Sequence, residues 1–134
     1  MYLLDTDTLI YSLKGEPAVL DNFKKHAAEP KAVSVITYGE LVFGAQGSQR
    51  ITENLAKVYR LKEIFPLIAI TPAIMDIFGA LKADLRKNGT PVDDFDLLIG
   101  ATALTMGYCV VTNNERHYAK NSGTGGGQLV EVTR

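Results

Sequence analysis

The chain has 134 residues, of which 46% are hydrophobic and 22% are charged, and its formal net charge is −1. This composition indicates one globular domain with an apolar core, and the near-zero charge counts against a strongly basic nucleic-acid-binding surface. The single cysteine, Cys109, excludes an internal disulfide framework, and no apolar run is long enough to span a membrane, so we expect a cytoplasmic protein.

The elements predicted for the first part of the chain alternate between strands and helices. The apolar start MYLL predicts a buried strand, and a short helix follows it as far as Leu13. Pro17 begins a second helix. The β-branched segment KAVSVIT predicts a strand, and YGELVFGA predicts the helix after it. In chain order these elements cover residues 1–4, 6–13, 17–28, 31–37 and 38–45.

The second part of the chain continues the alternation. Pro72 begins a helix that reaches Lys87, and Asp93 caps a helix that ends at Gly107. The other predicted elements are a helix over residues 52–65, strands over residues 66–71, 108–112 and 128–132, and a glycine-rich loop over residues 121–128. This order predicts a single α/β domain over residues 1–134 with a mostly parallel central sheet.

Acidic residues lie at several of the predicted strand–helix junctions. Asp5 ends the first strand, Glu40 lies near the start of the helix after KAVSVIT, and Asp96 lies in the first turn of the helix before YCVVT. Sites in parallel α/β sheets lie beyond the carboxyl ends of the strands, so these carboxylates are expected to converge there. Clustered carboxylates raise one another's pKa, and a hard divalent cation removes this repulsion. The pattern therefore favours a metal site suited to phosphodiester hydrolysis.

Asp96 is the acid of PVDDFDLL that is predicted to face the fold. At helical spacing it shares a face with small and apolar residues, whereas Asp94 lies nearer to solvent and Asp93 is the best N-cap.

Each acid also has a purely structural explanation. Asp5 can cap the helix that follows it, and Asp7 and Glu40, placed in first turns, can interact favourably with helix dipoles. Asp96 can close a capping box with Asp93. The joint placement of the acids at successive junctions is what favours the metal site.

Basic residues offer a second kind of candidate. Lys82 and Arg86 lie four residues apart on one predicted helix, and His117 follows the strand at residues 108–112. These side chains are candidates for contacts with RNA. A solvated cationic face and a surface histidine are the structural alternatives.

Four segments resemble the motif blocks of a known family. In chain order they are LLDTDTLIY, SVITYGELVFGA, PVDDFDLLIGATAL and VVTNNERHY. Their order, spacing and the chain length resemble PIN-domain ribonucleases, and most closely the VapC toxins of type II toxin–antitoxin modules. The resemblance covers nearly the whole chain and implies a PIN-like three-layer α/β/α sandwich.

The resemblance also implies a mechanism and partners. Asp5, Glu40 and Asp96 match the family's catalytic acids and would hold Mg²⁺ or Mn²⁺ for hydrolysis of an RNA phosphodiester, with tRNA the commonest substrate class. The supporting residues would be Thr6, Asp7, Asp93, Thr112, Asn114 and Glu115. Family members are typically homodimers inhibited by a VapB-type antitoxin, whose C-terminal segment lies across the active-site groove.

One position departs from the family pattern. Many members have a fourth acid after the later strand, whereas this chain has Asn114 in TNN, as does a subset of VapC-like chains. The departure puts a second metal in doubt, and Glu115 and Asp93 are candidate substitutes for the missing acid.

Two alternative functions remain open on the sequence. DTDT also resembles the nucleophile block of haloacid-dehalogenase-type phosphatases, in which Asp5 would attack phosphorus and Asp7 would act as acid and base. The element order around Asp93 and the absence of a role for Glu40 count against this alternative. The second is a PIN-like module that has lost catalysis and only binds, and Asn114 motivates it.

Overall fold

A parallel sheet organises the part of the chain that the computed structural model describes, residues 1–13, 28–112 and 129–131. Its strands are β1 (Tyr2–Leu4), β2 (Lys31–Ser34), β3 (Leu67–Ile68), β4 (Cys109–Thr112) and β5 (Leu129–Glu131). The strand order is β3-β2-β1-β4-β5, and every pairing is parallel. Because β1 lies in the middle, the residue that follows it reaches the centre of the sheet's carboxyl edge.

The helices within the described residues are α1 (Thr6–Leu13), α2 (Val35–Gln46), α3 (Ile51–Ile64), α4 (Pro72–Lys87) and α5 (Asp94–Met106). Local capping sets several of their ends. Thr71 accepts a hydrogen bond from the Ile74 amide at 3.3 Å at the start of α4, and Gly107 ends α5 in the left-handed region at φ 71°. No helix in these ranges is long and apolar enough to cross a membrane.

The two faces of the sheet are covered by different helices, which gives three layers. Successive strand residues point to opposite faces. Leu4 packs with residues of α1, α2 and α3, whereas Leu3 packs with Ile99 and Ala103 of α5. Helix α4 packs outside α5 through a third apolar cluster, formed by Ile74, Leu81, Leu85, Leu97 and Ala101. The predicted α/β/α sandwich with a parallel central sheet is therefore confirmed.

One predicted strand, over residues 31–37, is too long. The strand β2 ends at Ser34, whose hydroxyl accepts a hydrogen bond from the Ile36 amide at 3.1 Å and caps α2. The β-branched residues of the VIT segment favour a strand, but the cap and the packing of Thr37 inside the fold place them in the first helical turn. Glu40 consequently lies in the second turn of α2, not the first, and the proposed dipole explanation for it is wrong.

Two further predicted elements differ from the structure. The strand predicted over residues 66–71 is reduced to Leu67–Ile68, and the helix predicted over residues 38–45 begins three residues earlier, at Val35. The other described strands and helices begin and end within one or two residues of their predicted limits. The helix predicted over residues 17–28 lies outside the described residues except at its last position, and so does the glycine-rich loop at 121–128.

Candidate active site

Asp5 is a buried carboxylate at the carboxyl edge of the sheet. It follows β1 directly and is only 3% exposed. One carboxylate oxygen, Oδ1, accepts a hydrogen bond from the Thr8 amide at 2.9 Å, so Asp5 does cap α1. The other oxygen, Oδ2, accepts from the Thr112 hydroxyl at the end of β4. Asp5 therefore joins two neighbouring strands and a helix, which is more than capping requires.

Burial governs the ionisation of Asp5. It raises the pKa of this carboxyl from 3.8 to about 6, and the negative charge of Asp7 adds to the rise. The hydrogen bonds from Thr112 and Thr8 lower the pKa and only partly offset burial. Asp5 is thus ionised at neutral pH at a cost in free energy, and a nearby cation would reduce that cost.

Glu40 is tied to the same strand end by a side-chain hydrogen bond. The Thr6 hydroxyl donates to Glu40 Oε1 at 2.6 Å, and Thr37 Oγ1 lies 3.4 Å from the same hydroxyl oxygen. Thr6 is the first residue of α1, and Glu40 and Thr37 lie one turn apart on α2. This contact fixes Glu40 next to the residue that follows Asp5.

The pKa of Glu40 shows that several acids lie near one another. Partial burial is the main cause of a raised pKa, and the Thr6 hydrogen bond opposes it. The negative charges of Asp96, Asp93 and Asp7 raise the pKa of Glu40 further. Acids from α1 and from the start of α5 therefore lie close enough to act on Glu40 of α2, as the convergence predicted from the sequence requires.

The three acids at the start of α5 occupy different environments. Asp93 accepts a hydrogen bond from the Phe95 amide at 3.1 Å and is the N-cap, as predicted. Asp94 is exposed and forms an ion pair with Lys82, 3.0 Å from its Oδ1 to Nζ. Asp96 is half-buried, and its charge acts on Glu40. The prediction that Asp96, not Asp94, faces the fold is confirmed.

The donor set fits a hard divalent cation in its chemistry. Within residues 1–13, 28–112 and 129–131, no three acidic, histidine or cysteine side chains are arranged to bind one ion directly. The charges of neighbouring acids nonetheless add to the raised pKa of Asp5 and of Glu40, an effect that a cation would oppose, and Mg²⁺ keeps several waters when it binds through one or two carboxylates. A cation held partly through water is compatible with this arrangement.

Two threonines contribute to the site without having been predicted. Thr8 is fully buried, and its hydroxyl donates to the Val111 carbonyl at 3.2 Å while its amide holds Asp5. Thr37 lies beside Thr6. Its position three residues before Glu40 would have placed it on the same helix face had α2 been predicted to begin at Val35. The predicted residues Asn114, Glu115 and His117 lie outside the described residues.

Comparison with known proteins agrees with this fold. The family model described as PIN domain matches residues 2–122. The tRNA(fMet)-specific endonuclease VapC of Shigella flexneri is 31% identical over 123 residues, covering 91% of this chain and 92% of the relative. Ribonuclease VapC2 of Haemophilus influenzae is 32% identical over 120 residues, covering 89% and 90%. In the crystal structure of DNA-bound VapBC from Salmonella typhimurium, the similar chain has a TM-score of 0.88 at 28% identity, with 98% of each chain covered.

The chain belongs to the PIN-domain family, because the family model matches most of its length. Within that family it is of the VapC type, since its curated relatives at about 30% identity are VapC proteins that align over nearly their whole lengths.

Proposed function

We propose that this chain is the toxin of a VapBC-type module and a divalent-metal-dependent endoribonuclease that cleaves tRNA. The observation that carries the proposal is the group of carboxylates at the carboxyl edge of the sheet, with Asp5 held by Thr112 and Glu40 held by Thr6. Clustered carboxylates, whose charges here add to the raised pKa of Glu40, are the donors a Mg²⁺ or Mn²⁺ site needs. The relatives named as endonuclease and ribonuclease support the reaction class.

The described residues divide into ligands and positioning groups. Asp5, Glu40 and Asp96 would hold the ion, directly or through water. When bound, the ion would neutralise charge on the phosphodiester and make water a better nucleophile. Thr112 orients the Asp5 carboxylate and Thr6 orients that of Glu40, in each case by donating a hydroxyl proton to one carboxylate oxygen.

Residues around these acids would support the site. Asp7 lies exposed in the first turn of α1 and Asp93 caps α5, and both add negative charge near Glu40. Asn114 and Glu115, which follow β4 in the sequence, remain proposed supporting residues at the position of the family's fourth acid.

The partners follow from the same class of protein. We propose a homodimer bound by a VapB-type antitoxin, since a solved structure at 28% identity is of a VapBC complex. The proposal of tRNA as the substrate rests on the relative from Shigella flexneri, which is named a tRNA(fMet)-specific endonuclease.

The geometry of Asp5 does not favour the phosphatase alternative. A nucleophilic carboxylate must reach phosphorus, but Asp5 is 3% exposed and both of its oxygens accept hydrogen bonds. The phosphatase alternative also gives no role to Glu40, which the Thr6 hydroxyl holds at the same strand end.

Incubating the purified protein with total tRNA tests the proposal. We expect endonucleolytic fragments with Mg²⁺ or Mn²⁺, no fragments with EDTA, and none with Asp5→Asn or Asp96→Asn in either ion. RNA binding without any fragments would instead identify a binding module without catalysis. If the unsubstituted protein neither binds nor cleaves the RNA, the nuclease assignment is contradicted.

The affinity for Mg²⁺ is expected to depend on pH through Asp5. A metal ligand must be deprotonated, and the pKa of Asp5 is about 6 in the metal-free protein. Affinity should therefore be constant well above pH 6 and fall by about tenfold per pH unit below it. Calorimetric titration with Mg²⁺ from pH 5 to 8 measures this. A flat profile across that range would show that Asp5 is not a ligand.

A further inference from the structure

The C-terminal half of α4 carries a cluster of cations around a strip of small residues. Lys82, Arg86 and Lys87 line an open hollow of about 450 Å³ together with Gly79 and Ala83. At 100° per residue these five positions fall within less than half of the helix circumference. We call this surface the cationic face. The small residues Gly79 and Ala83 leave room for the hollow, and the longer charged side chains surround it.

The acids of α4 lie away from the centre of the cationic face. Asp84 falls roughly on the opposite side of the helix from Lys82, and Asp76 lies about one turn before Gly79. A third acid, Asp94 of α5, forms an ion pair with Lys82. The excess positive charge of the cationic face therefore comes from Arg86 and Lys87 in the last turn of α4, although the net charge of the whole chain is only −1.

Lys82 connects the cationic face to the candidate active site. Its ammonium lies 3.0 Å from Asp94 Oδ1 and 5.6 Å from the centre of the Phe78 ring, and these contacts hold the side chain in place. Asp94 precedes Asp96 by two residues in the first turn of α5. That turn lies at the carboxyl edge of the sheet, because α5 leads directly into the parallel strand β4. The cationic face thus lies at the same end of the molecule as the acids.

A second, smaller hollow adjoins the first. It has a volume of about 200 Å³, and Lys82 and Arg86 line it as well. Its other lining residues are Leu85, Pro91, Val92 and Leu97. Both cations therefore border open space on two sides, which leaves them accessible to an extended ligand.

We propose that the cationic face binds the sugar–phosphate backbone of RNA that extends from the cleavage site; this inference rests on the proposed ribonuclease function. RNA carries one negative charge per nucleotide, and neutralising phosphates with Lys and Arg supplies affinity that does not depend on sequence. The acids of the site repel phosphate until a cation is bound, so affinity for the substrate needs positive charge close by. The cationic face provides it, and its Lys82 contacts Asp94, two residues before Asp96.

The test compares two double variants that remove equal charge from exposed helix positions. The first is Arg86→Gln with Lys87→Gln, and the control is Arg50→Gln with Arg60→Gln, at the start and middle of α3. Both are made in full-length Asp5→Asn protein, so that RNA stays intact during binding. Single-stranded RNAs of about 20 and about 4 nucleotides are titrated in Mg²⁺ at several KCl concentrations and followed by fluorescence anisotropy.

We expect the first variant to bind the longer RNA about tenfold more weakly at 0.15 M salt. Its plot of log affinity against log salt should be less steep by about 1.4, as the loss of two phosphate contacts on single-stranded RNA predicts. The 4-nucleotide RNA and the control variant should show little change. In protein with Asp5 intact, the same substitutions should raise KM for long RNA and leave kcat unchanged.

Equal weakening by both double variants, or an unchanged salt slope, would overturn the proposal. Retained RNA affinity combined with lost binding of an acidic peptide such as polyglutamate would also overturn it, in favour of a protein partner. The outcome is separable from the ribonuclease proposal. Salt-dependent binding of RNA through the cationic face without any cleavage would contradict the proposed ribonuclease activity and still support RNA binding by the cationic face.

Discussion

Replacing Asp5 by Asn is expected to abolish RNA cleavage and, in the absence of metal, to make the protein more stable at neutral pH. Loss of a group that supports a metal ligand already costs about 10–100-fold in affinity or activity, so loss of the proposed ligand Asp5 should cost at least about 100-fold. The stability gain has a different cause. Asp5 is 3% exposed and must be ionised in the folded protein at pH 7, whereas Asn carries no charge.

The pKa of Asp5 sets the size and pH range of that stability gain. Folding raises it from 3.8 to about 6, so the folded wild-type protein binds this proton more tightly than the unfolded chain does. The stability of the wild type therefore rises as pH falls from 6 to 3.8, and the full cost of the charge is present above pH 6. At about 1.4 kcal/mol per pKa unit the gain for Asp5→Asn is up to about 3 kcal/mol, or roughly 10 °C in Tm.

Thermal unfolding of both proteins in EDTA from pH 4 to 8 measures this difference. It should be largest above pH 6 and should vanish near pH 4, and saturating Mg²⁺ should raise the Tm of the wild type more than that of Asp5→Asn. Asp7→Asn is the matched control, because Asp7 is an exposed acid two residues away, in the first turn of the helix that Asp5 caps. It should change Tm little and cost far less activity. If Asp5→Asn is less stable than the wild type at pH 7.5, the ionised carboxylate of Asp5 stabilises the wild-type fold, contrary to this prediction.

Most of the fold follows from local signals in the sequence, and the exceptions arise where two such signals compete. Pro72 and Gly107 mark helix ends that the structure reproduces, because each restricts or permits the backbone on its own. At residues 35–37 strand propensity and a helix cap at Ser34 point to different structures, and the cap prevails with the burial of Thr37. Propensity carries less free energy than burial against the rest of the fold, and burial cannot be read from a short segment.

In the site, the positions of the acids can be predicted from the sequence, whereas their hydrogen-bond partners cannot. The sequence predicts which acids reach the carboxyl edge, because their places at strand–helix junctions and the helix periodicity determine that. It does not predict which hydroxyl meets which carboxylate. The Thr6–Glu40 bond joins residues 34 positions apart, and the bond from Thr112 to Asp5 joins residues 107 apart. Such pairs depend on how α1, α2 and β4 pack, so they appear only in the folded structure.

The contact between Thr6 and Glu40 leads to a second large effect, which a double-mutant cycle can measure. Glu40→Gln is expected to lower kcat/KM for RNA cleavage by about 100-fold, and Thr6→Val by about tenfold. If Thr6 acts only by orienting Glu40, the double variant should be no worse than Glu40→Gln alone, because the hydroxyl then has no carboxylate to orient. The hydrogen bond is 2.6 Å long, so Thr6→Val should show its full loss of about tenfold in kcat/KM when Glu40 is present.

The pH dependence of Thr6→Val separates this positioning role from general damage to the fold. The Thr6 hydrogen bond lowers the pKa of Glu40, so its loss should raise that pKa and move the acidic limb of the pH–rate profile to higher pH. Thr105→Val is the control, because the Thr105 hydroxyl donates to the Ala101 carbonyl at 2.8 Å within α5. It should leave both rate and profile unchanged. Equal losses from Thr6→Val with and without Glu40→Gln would instead mean that Thr6 acts on the substrate or the ion directly, since a hydroxyl that works through Glu40 cannot matter once that carboxylate is gone.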